Sequence, residues 1–164
     1  ETDDVRLFMN GSYNLFQFDG SGNRTTVGNI GAFGVDLAFA PSFSFQNQLY
    51  QSGARNRQIN EWAPDGTSAQ FIGNLPSDSV NGLAFPSPGA FGDYLYVSFS
   101  TMERPVTNPG PTSIQRATPD ASLELFCQSP LFGGINQIAF DTTGSFRGHL
   151  FASDWVKDLS LIHI

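Results

Sequence analysis

The sequence predicts an all-β fold, a β-propeller of four-stranded antiparallel blades, and three observations carry that expectation. A pair of short apolar runs comes three times: Leu37-Ala38-Phe39 with Leu49-Tyr50, Leu83-Ala84-Phe85 with Leu95-Tyr96-Val97, and Ile138-Ala139-Phe140 with Leu150-Phe151. Separate markers share one spacing, since Phe39, Phe85 and Phe140 stand 46 and 55 residues apart, as do Phe45, Phe91 and Phe146, and Asp19, Asp65 and Asp120. Composition agrees: 16 Phe alongside 17 Gly and 10 Pro describe short strands that suit aromatic side chains and are punctuated by turns. Four antiparallel strands recurring at about 40 to 45 residues make a propeller blade.

The chain then reads in order as four blades, with strands lettered a to d from the channel outward. Residues 5–9, 13–18 and 24–27 supply strands b, c and d of a first blade, residues 4–30, that lacks strand a. A second blade covers residues 34–73, a third 80–127, and residues 134–158 open a fourth. In the third blade strand a is 81–85, b is 94–99, c is 113–118 and d is 123–127. Pro86-Ser87-Pro88-Gly89 separates a from b, and Pro119-Asp120-Ala121 separates c from d where the second blade has the hairpin signal Pro64-Asp65-Gly66. Residues 1–158 are therefore expected to form an incomplete portion, about three to three and a half blades, of a six-bladed ring with open edges at both sides.

Residues 159–164, Leu-Ser-Leu-Ile-His-Ile, carry two readings. They match the in-frame translation of a transposase adaptor used in sequencing libraries, and they also alternate as the start of a further strand c should. The spacing from Tyr50 to Ile59 would begin that strand nine residues after Phe151. No function is based on His163.

Charge and cysteine usage exclude several function classes. Eight basic against 15 acidic residues leave a net charge of -7, so the cationic footprint that phosphate backbones require is missing and nucleic acid is not an expected partner. No apolar run reaches the roughly 18 residues of a membrane span, and no signal peptide is visible. The chain opens at Glu1 inside a running pattern, so a leader is expected to have been removed or left out. A lone Cys127 forms no intrachain disulfide and no CxxC motif. No GxSxG, HExxH or GxxxxGK motif occurs, so no catalytic residue is assigned.

Blade geometry points to one face. In an up-and-down blade the d-to-a and b-to-c connections lie together, so Asn81 and Asn136, which open strand a beside the channel, share a face with the long b-to-c connection at 99–112. That insertion accounts for nine extra residues and carries three prolines and the charged pair Glu103-Arg104; repeat proteins use such insertions for binding. The second blade has Val35 at the Asn position, with Asp36 beside it. The expected ligand-binding residues at the channel mouth are thus Asn81, Asn136, Asp36, Glu103 and Arg104, although an Asn there also serves to cap a tight turn. Asp19-Gly-Ser-Gly-Asn23 reads as a c-to-d hairpin and not as a calcium loop, because Arg24 and Ile30 stand where Gly and Glu are needed. Asp154, Trp62, Trp155, His149 and Cys127 read as structural or surface positions.

The run from Asn81-Gly-Leu-Ala-Phe85 through Leu95-Tyr-Val-Ser98, then Ser113-Ile-Gln-Arg-Ala-Thr-Pro-Asp120, resembles the NHL-type repeat of six-bladed propellers. More broadly the chain resembles the SMP-30/gluconolactonase and strictosidine-synthase-like proteins. In the lactonase-like relatives, oxygen ligands for a divalent cation come from the opening of strand a on several blades; the resemblance carries that role to Asn81 and Asn136, while Val35 departs from it. Many exported bacterial proteins resemble the pattern too, including Gly144-Ser-Phe146-Arg-Gly148. The expectation is a non-catalytic binding module of an extracellular or periplasmic protein, for a small molecule, glycan or protein, with no cofactor. The alternatives are a Ca²⁺-dependent lactonase or esterase, with Ca²⁺ held by Asn81 and Asn136, and a structural scaffold disc.

Overall fold

The computed structural model describes residues 7–10, 13–30, 33–41, 43–54, 56–75, 79–87, 91–100, 112–155 and 159–163. Among them are fourteen strands in four antiparallel blades. Blade 1 contains β1 (Leu7–Asn10), β2 (Asn14–Phe18) and β3 (Arg24–Asn29). Blade 2 contains β4 (Phe33–Phe39), β5 (Leu49–Ala54), β6 (Ile59–Trp62) and β7 (Ser68–Ile72), with a short 3-10 turn at Phe43–Phe45. Blade 3 contains β8 (Ser79–Ala84), β9 (Leu95–Ser100), β10 (Ser113–Ala117) and β11 (Leu123–Gln128), and blade 4 contains β12 (Ile135–Phe140), β13 (Leu150–Asp154) and β14 (Leu159–His163). Within a blade each strand pairs with its sequence neighbour, so every blade is a meander, and β5 also bridges to β8 at Ala54 and Ser79. The first strands of blades 2, 3 and 4 touch one another, β4 with β8 and β8 with β12, and form the inner wall. Residues 159–163 pair with β13 in the place of strand c.

The blades stack face to face, and the core is the set of layers between them. β9 shows why its sequence is apolar almost throughout. Successive side chains of a strand point to opposite faces; Leu95, Val97 and Phe99 enter the layer shared with blade 2, and Tyr96 enters the layer shared with blade 4. All six residues of β9 are accordingly buried.

Two layers are built around the same four aromatic rings. Between blades 2 and 3, Phe45 lies 5.7 Å from Tyr50, 6.0 Å from Phe71 and 5.0 Å from Phe85, all edge to face. Between blades 3 and 4, Phe91 lies 6.1 Å from Tyr96, 6.2 Å from Phe126 and 4.9 Å from Phe140 in the same geometry. This arrangement aligns the positive edge of one ring with the negative face of the next. The tyrosine hydroxyls are satisfied internally, Tyr50 donating to the Phe45 carbonyl at 3.3 Å and Tyr96 to the Phe91 carbonyl at 2.9 Å. In the last blade the counterparts Phe146 and Phe151 lie 5.5 Å apart, and Phe146 is 63% exposed whereas Phe45 is 1% exposed.

The c-to-d hairpins share one turn, and here the expected alignment needs a correction. The closing bonds run from Asp19 N to Asn23 O, Ala63 N to Thr67 O and Thr118 N to Ser122 O, so Asp19 is the counterpart of Ala63 and Thr118. It is displaced by two residues from Asp65 and Asp120. An aspartate cap works from either place: Asp19 Oδ1 accepts from Ser21 N and Asn23 N, while Asp65 Oδ1 accepts from Thr67 N. The left-handed position of the turn is Gly22 at φ 82°, Gly66 at φ 85° and Ala121 at φ 65°.

These features set two stability predictions. Phe45→Ala should lower the unfolding free energy by about 3 to 5 kcal/mol, while Phe146→Ala should change it by less than about 0.5 kcal/mol, both read from urea midpoints. Ala121→Gly removes a Cβ from a left-handed residue and should raise stability by roughly 0.5 to 1 kcal/mol; an unchanged or lower midpoint would contradict that strain.

Candidate functional site

The inner strands share a local irregularity that shapes the channel wall. The pairing of β4 with β5 jumps between Gly34 and Leu37, that of β8 with β9 between Val80 and Leu83, and that of β12 with β13 between Ile135 and Gln137. Each is a bulge, which bends a strand and re-aims its side chains. A serine in the adjoining strand meets each freed amide: Ser52 Oγ accepts from Asp36 N at 3.0 Å, Ser98 Oγ from Gly82 N at 2.8 Å and Ser153 Oγ from Gln137 N at 3.2 Å. These serines were missed by the sequence reading, yet the repeat spacing carried them, two residues after Tyr50, Tyr96 and Phe151.

The bulge residues also join one blade to the next. Asp36 Oδ2 accepts from Leu83 N of blade 3 at 2.8 Å, and Oδ1 accepts from Leu37 N at 2.9 Å. The Gln137 side chain of blade 4 lies close enough to the same carboxylate to favour its charged form. Burial pushes the Asp36 carboxyl up from its ordinary value, against the pull of these bonds. At the next junction the equivalent residue is Gly82, and a Cβ there would lie 2.9 Å from both Ile138 N and Ser98 Oγ. The backbone of blade 4 fills that space, so glycine is required by close approach and not by turn geometry.

Asn81, one residue earlier, is 2% exposed. Its Nδ2 donates to Ser100 Oγ and, at 3.1 Å, to the Ile135 carbonyl of blade 4. Its Oδ1 is buried and has no hydrogen-bond partner among the described residues. Asn136 is the same position one blade later and is exposed. Three of the expected site residues are thus found at the head of the inner strands: Asp36 in β4, Asn81 in β8 and Asn136 in β12. Glu103 and Arg104 lie outside the described residues, although Ser100, which meets Asn81, is the last described residue before them. Asp154 is a buried anchor, accepting from Gly133 N at 2.5 Å and Gly134 N at 3.0 Å. Trp62 is a packing group whose Nε1 donates to Gln51 Oε1 at 2.9 Å, and Cys127 is half-buried against the layer between blades 3 and 4.

A divalent cation at the opening of strand a would need about six to eight oxygens. The side chains described there fall short of that number: Asn81 and Asn136 offer one amide oxygen each, the Val35 side chain offers none, and both Asp36 oxygens already accept backbone amides. Among the described residues no group of three or more His, Cys, Asp or Glu is placed to hold a metal ion.

No protein-family model and no curated protein matches the sequence. Solved structures do match by shape. A gluconolactonase from Xanthomonas campestris superposes with a TM-score of 0.60 at 14% identity, covering 93% of this chain and 68% of that one. A calcium-binding regucalcin from Agrobacterium tumefaciens gives 0.61 at 17%, covering 93% and 51%, and a chain of a nidogen/laminin complex gives 0.60 at 14%, covering 92% and 57%. The chain therefore spans about half to two thirds of the length of these structures. The stacked antiparallel blades are thus the β-propeller fold that these structures share, and the chain is an incomplete arc of a six-bladed ring.

Proposed function

We propose that this arc belongs to a non-catalytic binding module of an exported protein, whose ligand or partner meets the channel mouth on the face of the d-to-a and b-to-c connections. One observation carries the reading: Asn81 Oδ1 is buried at the head of β8 without a donor among the described residues. Leaving such an acceptor unpaired costs about 1 to 3 kcal/mol, and a hydroxyl or amide supplied from that face would satisfy it. Ser100 couples this position to the connection carrying Glu103 and Arg104. The small molecule, glycan or protein that binds would then meet a polar group from β8 and charged groups from the insertion. The nidogen/laminin structure among the similar folds supports a protein partner for such a propeller.

The Ca²⁺-dependent lactonase alternative is separated by measurement. Thermal unfolding of the chain with millimolar Ca²⁺ should show a melting temperature unchanged within about 1 °C, because a cation bound at 100 times its Kd would add about 2.7 kcal/mol. A saturable rise abolished by Asn81→Leu, or lactone hydrolysis dependent on Ca²⁺, would replace the binding reading with the hydrolytic one. Saturation-transfer NMR against a panel of mono- and disaccharides supplies the positive arm. A sugar that binds should lose its signal on Asn81→Leu, and a signal indifferent to that change would place its site elsewhere.

Asp36 adds a pH dependence at the same wall. Its raised pKa means that the folded state holds the proton more tightly than the unfolded chain, so its contribution is fully present below the ordinary value of 3.8 and is lost as pH rises through the raised value. Relative to Asp36→Asn, the wild type should lose stability as pH rises from about 3.8. Asp19, Asp65, Asp120 and Asp141, held down first by side-chain hydrogen bonds, act oppositely in both proteins and cancel in the difference. A flat difference curve between pH 3 and 7 would remove Asp36 from this role.

A further inference from the structure

We infer that the junction between blades 1 and 2 is a binding site for a single aromatic ring, on the opposite face from the channel mouth. A cavity of about 170 Å³ opens there, lined by Phe8, Leu15, Val27, Phe39, Leu49 and Trp62. The internal repeat identifies what the space is shaped for. Phe8 pairs with Gln17 as Tyr50 pairs with Glu61 and Tyr96 with Arg116, so Phe8 is the blade 1 counterpart of the two core tyrosines. Val27 lies in the bulge of β3 where Phe71 and Phe126 lie in β7 and β11. Phe39 corresponds to Phe85 and Phe140, and it meets Phe8 edge to face at 5.2 Å.

One of the four rings is therefore replaced in this layer, since Val27 stands where Phe71 and Phe126 do. The counterpart of Phe45 and Phe91, five residues before Phe8, is Asp3 in the sequence and lies outside the described residues. In the two sister layers a phenyl ring sits in the place of Val27, with centroids 4.9–6.2 Å from its neighbours. Phe39 is 55% exposed in consequence. A dry cavity of roughly 150 Å³ lined by Leu, Ile and Phe is large enough to take benzene, and this one is similar in size, with Gln17 and Asn47 the polar residues in an otherwise apolar lining. The ligand class is a monocyclic aromatic that restores the edge-to-face contacts with Phe8 and Phe39. The opening lies beside the c-to-d turn at Ala63 and Pro64 and the a-to-b connection at Asn47. Neither Asn81 nor Asp36 takes part, so this inference does not rest on the proposed channel-mouth site.

The test uses 4-fluorophenol with the full chain, read by ¹⁹F NMR line broadening. The expected result is saturable broadening with a millimolar or tighter Kd, competed by toluene and not by glucose. Val27→Phe, which supplies the missing strand-d ring, should weaken binding at least tenfold while raising the melting temperature. Val27→Leu, a smaller change, should weaken it by a lesser factor and covers the case in which the phenylalanine does not fit. Broadening that does not saturate, or that is unchanged in both variants, would overturn the site. Broadening that disappears on dilution along with a dimer in sedimentation would also overturn it, by showing that a second copy fills the cavity.

Discussion

The fold depends on sheets packing face to face through interlocked aromatic rings. A blade of four short strands has two broad faces and cannot cover either by itself. The rings of Phe45, Tyr50, Phe71 and Phe85 resolve this at one junction, and those of Phe91, Tyr96, Phe126 and Phe140 at the next. Three of each set come from one blade and the fourth from the first strand of its neighbour. The contact that buries a blade is therefore also the contact that fixes its angle to the next one. Where Val27 breaks the set, beside Phe39, the same residue type becomes exposed.

Much of this was legible in the chain. The spacing of Phe39, Phe85 and Phe140 gave the number and order of the blades because every layer needs its strand-a ring at the same height. Strand limits came within one or two residues, as for β9, read as 94–99 and found at 95–100. The alignment of Asp19 with Asp65 failed for a physical reason. A turn can be capped by an aspartate at its first or third residue, so the carboxylate does not mark a fixed position, whereas the backbone bond that closes the hairpin does.

The site was less legible. Asn81 and Asn136 are the same in sequence, yet one is buried and hydrogen-bonded across a junction and the other is exposed, since burial is conferred by the following blade and not by the residue. Asp36 was noted only as the neighbour of Val35, while in the structure its carboxylate ties blade 2 to blade 3 and reaches Gln137 of blade 4. Single-residue reading cannot supply such a relation, because it depends on what the neighbouring blades bring to the carboxylate. Ser52, Ser98 and Ser153 went unread because a serine in an apolar strand carries no signal until the bulge opposite it is known.

Those serines have a consequence for how the chain finds its pairing. A strand with one wet face is held in phase by its alternation of polar and apolar residues, and a slip by one exposes the wrong side. β9 is buried on both sides, Leu95, Val97 and Phe99 on one and Tyr96, Ser98 and Ser100 on the other, so no wet face marks its phase. The discriminating information is then a hydroxyl and an amide: only one alignment puts Ser98 opposite the amide of Gly82, and every other leaves two polar groups stranded in a dry interior. In a strand with no wet face, a few polar atoms act as the index marks.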